Sequence, residues 1–309
     1  MRRIEGMISI IICTYNRQKF ILKTLQCLRE QDFPASDFEI IIINNNSSDN
    51  TKAICTDFMN QSPGLQINYV EEYNQGLSYA RNRGIKEAKG TIITFIDDDA
   101  FAVPGFLKSI HGFFSQNSSV LALGGKVKPE FETGKPSWMS PFLMPLVAAL
   151  DMGQGIKEFT GKSFPVGANM SFRAEVFERF GLFNNDLGRK GNSLLGSEEK
   201  DFFNRLKKAS VKIVYLPEAE VTHVIPPIRV TMEYIKRQAI GIGVSERLRV
   251  KGAGFFEELK KMAEELFKVG ATVLISLYYS LTFQFPKAFM LIKFRFWVLK
   301  GFYSSQSVS

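Results

Sequence analysis

Three consecutive carboxylates, Asp97, Asp98 and Asp99, follow the apolar run TIITFI in the segment GTIITFIDDDAF. Adjacent like charges repel at neutral pH, so keeping three together calls for a countercharge. In an extended chain the side chains of residues i and i+2 project the same way. Asp97 and Asp99 can therefore face one site while Asp98 faces another. Two convergent carboxylates offer hard oxygen ligands to a cation such as Mg²⁺ or Mn²⁺, which commonly completes its shell with substrate phosphates. The plainer alternative is a solvated turn, with Asp99 near the start of a helix around Pro104.

The elements that must position this triplet alternate between strand and helix. Ile8 to Cys13 (ISIIIC), Phe38 to Ile43 (FEIIII), Gln66 to Val70 and Thr91 to Ile96 read as strands, the first two with no polar interruption on either face. Between them, residues 17–31 carry apolar side chains at helical spacing. Asp49 is placed to cap a helix beginning near Thr51, and residues 76–88 read as a helix stopped by Gly90. This alternation predicts an α/β fold, a mostly parallel sheet flanked by helices. Ligands of such sheets bind where loops leave the carboxyl ends of the strands. Three polar clusters fall there: Thr14-Tyr15-Asn16, Asn44-Asn45-Asn46 and the acidic triplet.

Beyond this half, residues 129–145 read as a long Pro-rich loop containing Trp138. Residues 173–181 and 198–209 read as helices, and Lys212 to Leu216 as a late strand. The character changes after Gly252 and Gly254. A charged stretch, FFEELKKMAEELFK, runs into Val269 to Phe285, which holds no charge, and then into basic and aromatic residues. A bilayer-crossing helix needs about 20 apolar residues. The run is shorter than that and contains Ser276, Ser280 and Thr282, so peripheral or partly inserted attachment is expected rather than a span. The division expected is 1–250 for the catalytic region and 251–309 for a helical, membrane-associating extension.

The chain of 309 residues has a formal net charge of +8, which suits a phosphorylated ligand or an anionic surface. Its lysines are dispersed and no basic-aromatic module appears, which argues against nucleic acid. Three cysteines form neither a disulfide framework nor a metal spacing, so a reducing, cytoplasmic compartment is expected.

Six segments together resemble the family 2 glycosyltransferases, which have the GT-A fold: SIIICTYNR (9–17), EIIIINNNSSDNT (39–51), NQGLSYARNRGIKEAKGTIITFIDDD (74–99), GANMSFR (167–173), GSEEKDFFNRL (196–206) and PEAEVTH (217–223). The resemblance implies an inverting transferase that moves a sugar from a nucleotide-diphosphate sugar to an acceptor hydroxyl in glycan, polysaccharide or glycolipid synthesis. It implies Mn²⁺ or Mg²⁺ as cofactor and a glycan or lipid-linked acceptor; with the C-terminal stretch, a location on the inner face of the cell membrane is expected.

By the same resemblance Thr14, Tyr15 and Asn16 border the nucleotide, and Asn44 stands where the family usually has an Asp contacting the base. Arg81 lies near the base and phosphates. Asp97 and Asp99 match the DxD metal motif, with Asp98 beside the ribose or sugar. From the residues themselves, Gly167-Ala168-Asn169 reads as a small-residue turn that lets backbone approach the sugar, with Asn169 adding a polar contact. His223 matches a late histidine that reaches the metal or diphosphate. Glu198-Glu199 matches a Glu-Asp pair whose second member is the usual catalytic base, so Glu199 is the first candidate, then Glu198, then Asp201.

Plainer roles stand beside these. Thr14 and Asn16 can end a strand, Arg81 can pair with a helix carboxylate such as Glu87, and His223 can be a satisfied core histidine. The glutamates can simply favour a helix N-terminus. Two rival functions follow: a nucleotidylyltransferase, and a membrane-associated nucleotide-sugar-binding protein with weak or no activity. The first normally shows a Gly-rich phosphate loop after strand one, whereas CTYNRQKF has no glycine.

Overall fold

A computed structural model describes residues 3–187, 198–250 and 254–304. Gly196, Ser197 and Gly252 therefore lie outside the described residues. The chain falls into two compact units, Met1–Glu130 with Ala148–Val224, and Phe131–Val147 with Ile225–Ser309.

The first unit is built on a sheet whose strands are β1 (Ile4–Thr14), β2 (Phe38–Asn44), β3 (Gln66–Glu71), β4 (Gly90–Asp97), β5 (Ala100–Ala102), β6 (Ala122–Phe131), β7 (Lys157–Glu158), β8 (Asn169–Arg173) and β9 (Ile213–Ile225). They lie in the order β3-β2-β1-β4-β8-β6-β9-β5, with β7 on β9. The first four strands are parallel, and β8 runs antiparallel to β4. The parallel register sets Thr14 beside Asn44, and Cys13 beside Asp97. The three polar clusters therefore emerge at one sheet edge, as the strand reading requires.

Alternation along β1 and β2 divides the core between two faces. Ile8, Ile10, Ile12, Ile40 and Ile42 pack toward α1 (Ile21–Arg29), α2 (Thr51–Asn60) and α4 (Phe106–Gln116). Ile11, Ile41 and Ile43 face the other side with residues of α3 (Leu77–Glu87), α5 (Glu175–Phe180) and α6 (Glu198–Lys208). Much of the abundant Phe is spent on this second face. Phe95, Phe172, Phe177, Phe183 and Phe202 meet there with ring centroids 4.8–6.3 Å apart, in edge-to-face, tilted and stacked geometries that add to area burial.

Several boundaries differ from expectation. The helix expected from residue 17 begins at Ile21, because residues 17–20 form a turn whose Arg17 carbonyl accepts from Phe20 and Ile21. Ala122–Phe131 is a strand where the Pro-rich loop was expected to have begun by residue 129, and Pro141–Val147 forms 3₁₀ turns. The late strand runs past Leu216 to Ile225.

The second unit contains α7 (Met232–Val250), α8 (Phe255–Leu281) and α9 (Phe285–Tyr303). α7 packs along α9, although the sequence division at residue 250 would separate them. Glycines allow the approach. A Cβ at Gly243 would lie 2.0 Å from the Val298 carbonyl oxygen, and one at Gly301 would lie 2.1 Å from that of Ile240. Trp138 belongs to this unit and is half-buried. No helix among the described residues is long and apolar enough to cross a membrane.

Candidate active site

Asp97 closes β4, and the chain turns through Asp98 and Asp99 into β5. β5 pairs antiparallel with β9 and sets Ala100 opposite His223. This pairing carries a residue more than a hundred positions away to the acidic turn. His223 Nε2 lies 3.0 Å from Asp99 Oδ1, both fully buried. Ligand atoms of Asp97, Asp99 and His223 all lie within 4.8 Å of one another. Burial, then the Asp99 charge, raises the Asp97 carboxyl above its ordinary range, while Arg81 and His223 pull it down. Two hard oxygens and an imidazole nitrogen converging in a site short of positive charge fit a divalent cation.

Arg17 supplies a countercharge that the sequence reading, which looked to a cation, did not include. Its Nε lies 3.2 Å from Asp98 Oδ1, and its Nη2 3.5 Å from Asp99 Oδ2. Burial still pushes the Asp98 carboxyl up to about 7, against the opposing pull of Arg17. The Asp98 backbone is fixed by Thr24, whose hydroxyl donates to its carbonyl at 2.8 Å. The signal for Arg17 was its place at the end of SIIICTYNR, on the same sheet edge as the triplet.

A second charged cluster joins α3 to α6. Arg81, fully buried, reaches Glu198 Oε1 at 3.0 Å and Glu199 Oε1 at 2.8 Å. Glu199 Oε2 also accepts from the Gly167 N–H at 3.0 Å. Gly167 leaves room for this contact, since a Cβ there would lie 1.9 Å from Glu199 Oε1 and would push the carboxylate aside. The two glutamates differ in access: Glu198 is 3% exposed at the side chain, and Glu199 is 24%. Asp201 instead pairs with Arg205 one turn along the helix. The expected alternative for Arg81, a pair with Glu87, falls to Arg83 at 2.7 Å. Arg81 and Glu199 both act on the Asp97 carboxyl, so the two clusters share one electrostatic site.

The nucleotide-side residues lie on the same edge in varied states. Thr14 is buried and Tyr15 is exposed. Asn16 takes a left-handed backbone, with φ 54°, and its Oδ1 accepts from the Ser48 N–H at 2.8 Å, tying the loops after β1 and β2 together. Asn44 Oδ1 accepts from the Ser47 N–H at 3.1 Å. Asn45, given no role from sequence, braces the next loop through Glu72, Asn74 and Gly76. Asn169 is used differently from the sugar contact expected of it. It is fully buried, and its Nδ2 donates to the carbonyls of Ala219 at 2.7 Å and Lys126 at 3.1 Å. Its Oδ1 has no hydrogen-bond partner among the described residues.

The profile of glycosyl transferase family 2 matches residues 9–181. The chain belongs to that family. A glucosyl-dolichyl phosphate glucuronosyltransferase of Haloferax volcanii is 23% identical over 244 residues, 78% of this chain and 76% of that protein. The poly(ribitol-phosphate) beta-N-acetylglucosaminyltransferase TarS of Staphylococcus aureus is 31% identical over 143 residues, and the chain spans only 25% of its length. Among solved structures, a mannosyltransferase of Pyrobaculum calidifontis in complex with GDP-Man and Mn²⁺ matches 97% of this chain and 88% of its own. Its TM-score is 0.63 and its identity 17%, a likeness of fold. Family 2 membership with this fold makes the protein a GT-A glycosyltransferase and removes the nucleotidylyltransferase reading.

Proposed function

We propose that this family 2 glycosyltransferase moves a sugar, with inversion, from a nucleotide-diphosphate sugar to a hydroxyl of a glycan or lipid-linked acceptor. The convergence of Asp97, Asp99 and His223 at the end of β4 carries this reading. These three residues would hold Mn²⁺ or Mg²⁺, which when bound supplies positive charge for the departing diphosphate. Arg17 keeps Asp98 and Asp99 in place beside them. Thr14, Tyr15 and Asn44 border the nucleotide, and Asn16 shapes the loop that carries them.

Glu199 takes the proton from the acceptor hydroxyl as general base. Its partial exposure supports that role over the buried Glu198, and Arg81 and the Gly167 N–H hold its carboxylate in position. A lipid-linked acceptor is supported by the dolichyl-phosphate relative. In this reading the enzyme works at an anionic membrane surface, on the cytoplasmic face, with residues 251–309 as the attachment; the net charge of +8 supports it.

Release of free sugar from a panel of nucleotide sugars, measured with Mn²⁺ and after chelation, tests the reading. Turnover of at least one donor that stops on chelation is expected. A panel with no metal-dependent turnover would remove it.

A further inference from the structure

The helical unit buries charge beside an apolar interior formed by Val244, Met290, Val298 and Phe302. Its interior holds an ion cluster centred on the buried Glu265, which lies 3.3 Å from Lys261, 2.5 Å from Lys268 and 3.2 Å from Arg295. Lys261 also pairs with Glu246, so the cluster links α7, α8 and α9. The outer faces are apolar. Leu266, Phe267, Leu274 and Leu281 of α8 are exposed, as are Phe289 and Phe296 of α9, and Phe267 reaches 78%. A helix facing water carries charged and polar groups on its outer face. An apolar surface of this extent marks a contact with something other than water.

The turn between α8 and α9 points the same way. Phe283 has φ 57°, a left-handed backbone that favours glycine, yet its ring is 82% exposed. A bulky residue is disfavoured there and gains no burial in return, so the fold alone gives no reason for it. Beside the turn, Ser280, Phe285, Pro286, Phe289 and Ile292 border an open cavity of about 480 Å³.

Charge selects the occupant. Residues 266–309 contain five basic residues and no acidic one; Lys268 and Arg295 are paired with Glu265, which leaves Lys287, Lys293 and Lys300 of α9 to carry the positive charge. Lys293 lays its stem along the apolar face, with Nζ 4.3 Å from the Phe289 ring centroid, as lysines do where an apolar layer meets charged headgroups. A second copy would bring the same basic surface against itself, whereas anionic lipid offers both the hydrocarbon and the countercharge.

We propose that the outer face of α8 and α9, with the Phe283 turn, inserts into one leaflet of an anionic bilayer, the helices lying in its plane. This deepens the membrane-surface reading above and rests on it, adding hydrophobic insertion to electrostatic attraction.

The test uses the full chain with phosphatidylcholine vesicles, with and without phosphatidylglycerol, floated at low and high salt. A polarity-sensitive fluorophore on Phe283→Cys, in a Cys27→Ser background, reports the environment of the turn. Flotation with the mixed vesicles that persists in part at high salt, with a blue shift seen only with lipid, is expected. Phe267→Ser and Phe289→Ser should each weaken vesicle binding about tenfold or more. Metal-dependent donor hydrolysis should stay unchanged in both. Complete release at high salt without a blue shift would overturn insertion and leave surface attachment standing. No flotation under any condition would remove both. A blue shift without lipid, with a doubled mass in solution, would make a second copy the occupant.

Discussion

Arg81 Nη2 sits 2.8 Å from Glu199 Oε1, inside a protein that gives the guanidinium almost no contact with water. A buried guanidinium needs compensating charge, and Glu198 provides it from the same helix turn at 3.0 Å. Successive residues at a helix start point about 100° apart. The arginine bridges that angle by spending one Nη on each glutamate. Glu198 is left as its buried partner, while Glu199 keeps one edge open to the site.

The pair should therefore respond differently to the same change. Glu199→Gln keeps the shape and removes the basicity. It should lower transfer by about 10²–10⁴-fold, with metal and nucleotide binding intact by calorimetry. Glu198→Gln removes charge from the buried side of Arg81. It should cost stability, on the order of 3 kcal/mol at most because Glu199 still faces the arginine, and show as a lower denaturation midpoint. If Glu199→Gln transfers at the parent rate while Glu198→Gln does not, the roles are exchanged.

Metal dependence should reside in the strand-end carboxylates. Asp97→Ala or Asp99→Ala removes a ligand oxygen from a turn already held by Thr24 and Arg17. Both variants should fold and lose Mn²⁺-dependent binding of a nucleotide diphosphate in calorimetry. Undiminished binding in both would dismiss these carboxylates as ligands.

The parallel half of the fold was legible because its strands are unbroken β-branched runs and their ends coincide with polar clusters. The antiparallel half was harder, for identifiable reasons. After Leu216 the chain reads PEAEVTHVI, where a proline argues against a strand and polar residues interrupt the apolar ones. The structure continues β9 through it, burying Ala219, Val221 and His223 on alternate positions. That alternation was the available signal, and it brings His223 to Asp99. The pairing itself joins residues far apart in sequence, which no local pattern encodes. Arg17 was absorbed into a helix that begins four residues later, and its pairing with the triplet was lost with it. The buried position of Asn169 depends on carbonyls from two other strands and was likewise invisible.

Nucleotide selectivity should reflect Asn44. Its carbonyl oxygen already accepts from Ser47, but a carbonyl can accept twice, so the uracil N3–H remains a possible donor. Uridine or deoxythymidine diphosphate should bind at least as tightly as the other nucleotides, with modest discrimination. A strong preference for guanosine or cytidine diphosphate in a calorimetric comparison would contradict this.

The cysteines should separate by reactivity. Burial pushes the Cys13 and Cys55 thiols up to about 12, and raises Cys27 as well; Cys55 is buried, while Cys13 and Cys27 are both half-buried. At pH 8 Cys27 should react first with a thiol reagent, Cys13 more slowly because its thiol is held further from ionisation, and Cys55 only on unfolding. The same shifts predict a pH effect. Below about 9 the thiols are protonated in both states. From there to about 12 the unfolded chain releases protons that the folded chain retains, so these thiols contribute a loss of stability as pH rises. Rapid reaction of all three thiols in the folded protein would refute the burial argument.

The helical unit should reveal its close contacts through glycine replacement. Gly243→Ala drives a methyl group to within 2.0 Å of the Val298 carbonyl, and Gly301→Ala one to within 2.1 Å of the Ile240 carbonyl. Both clashes are with backbone, so α7 and α9 must move apart, at about 1–3 kcal/mol or more. Gly270 in α8 is the control, since a Cβ there meets nothing within 4 Å. Gly270→Ala should raise stability by roughly 0.5–1 kcal/mol through helix propensity alone. Denaturant unfolding followed by Trp fluorescence suits the comparison, because Trp138 and Trp297 both lie in this unit. Two lowered midpoints and one raised midpoint are expected. If Gly243→Ala and Gly301→Ala unfold like the parent, the α7–α9 contact is looser than its glycines imply.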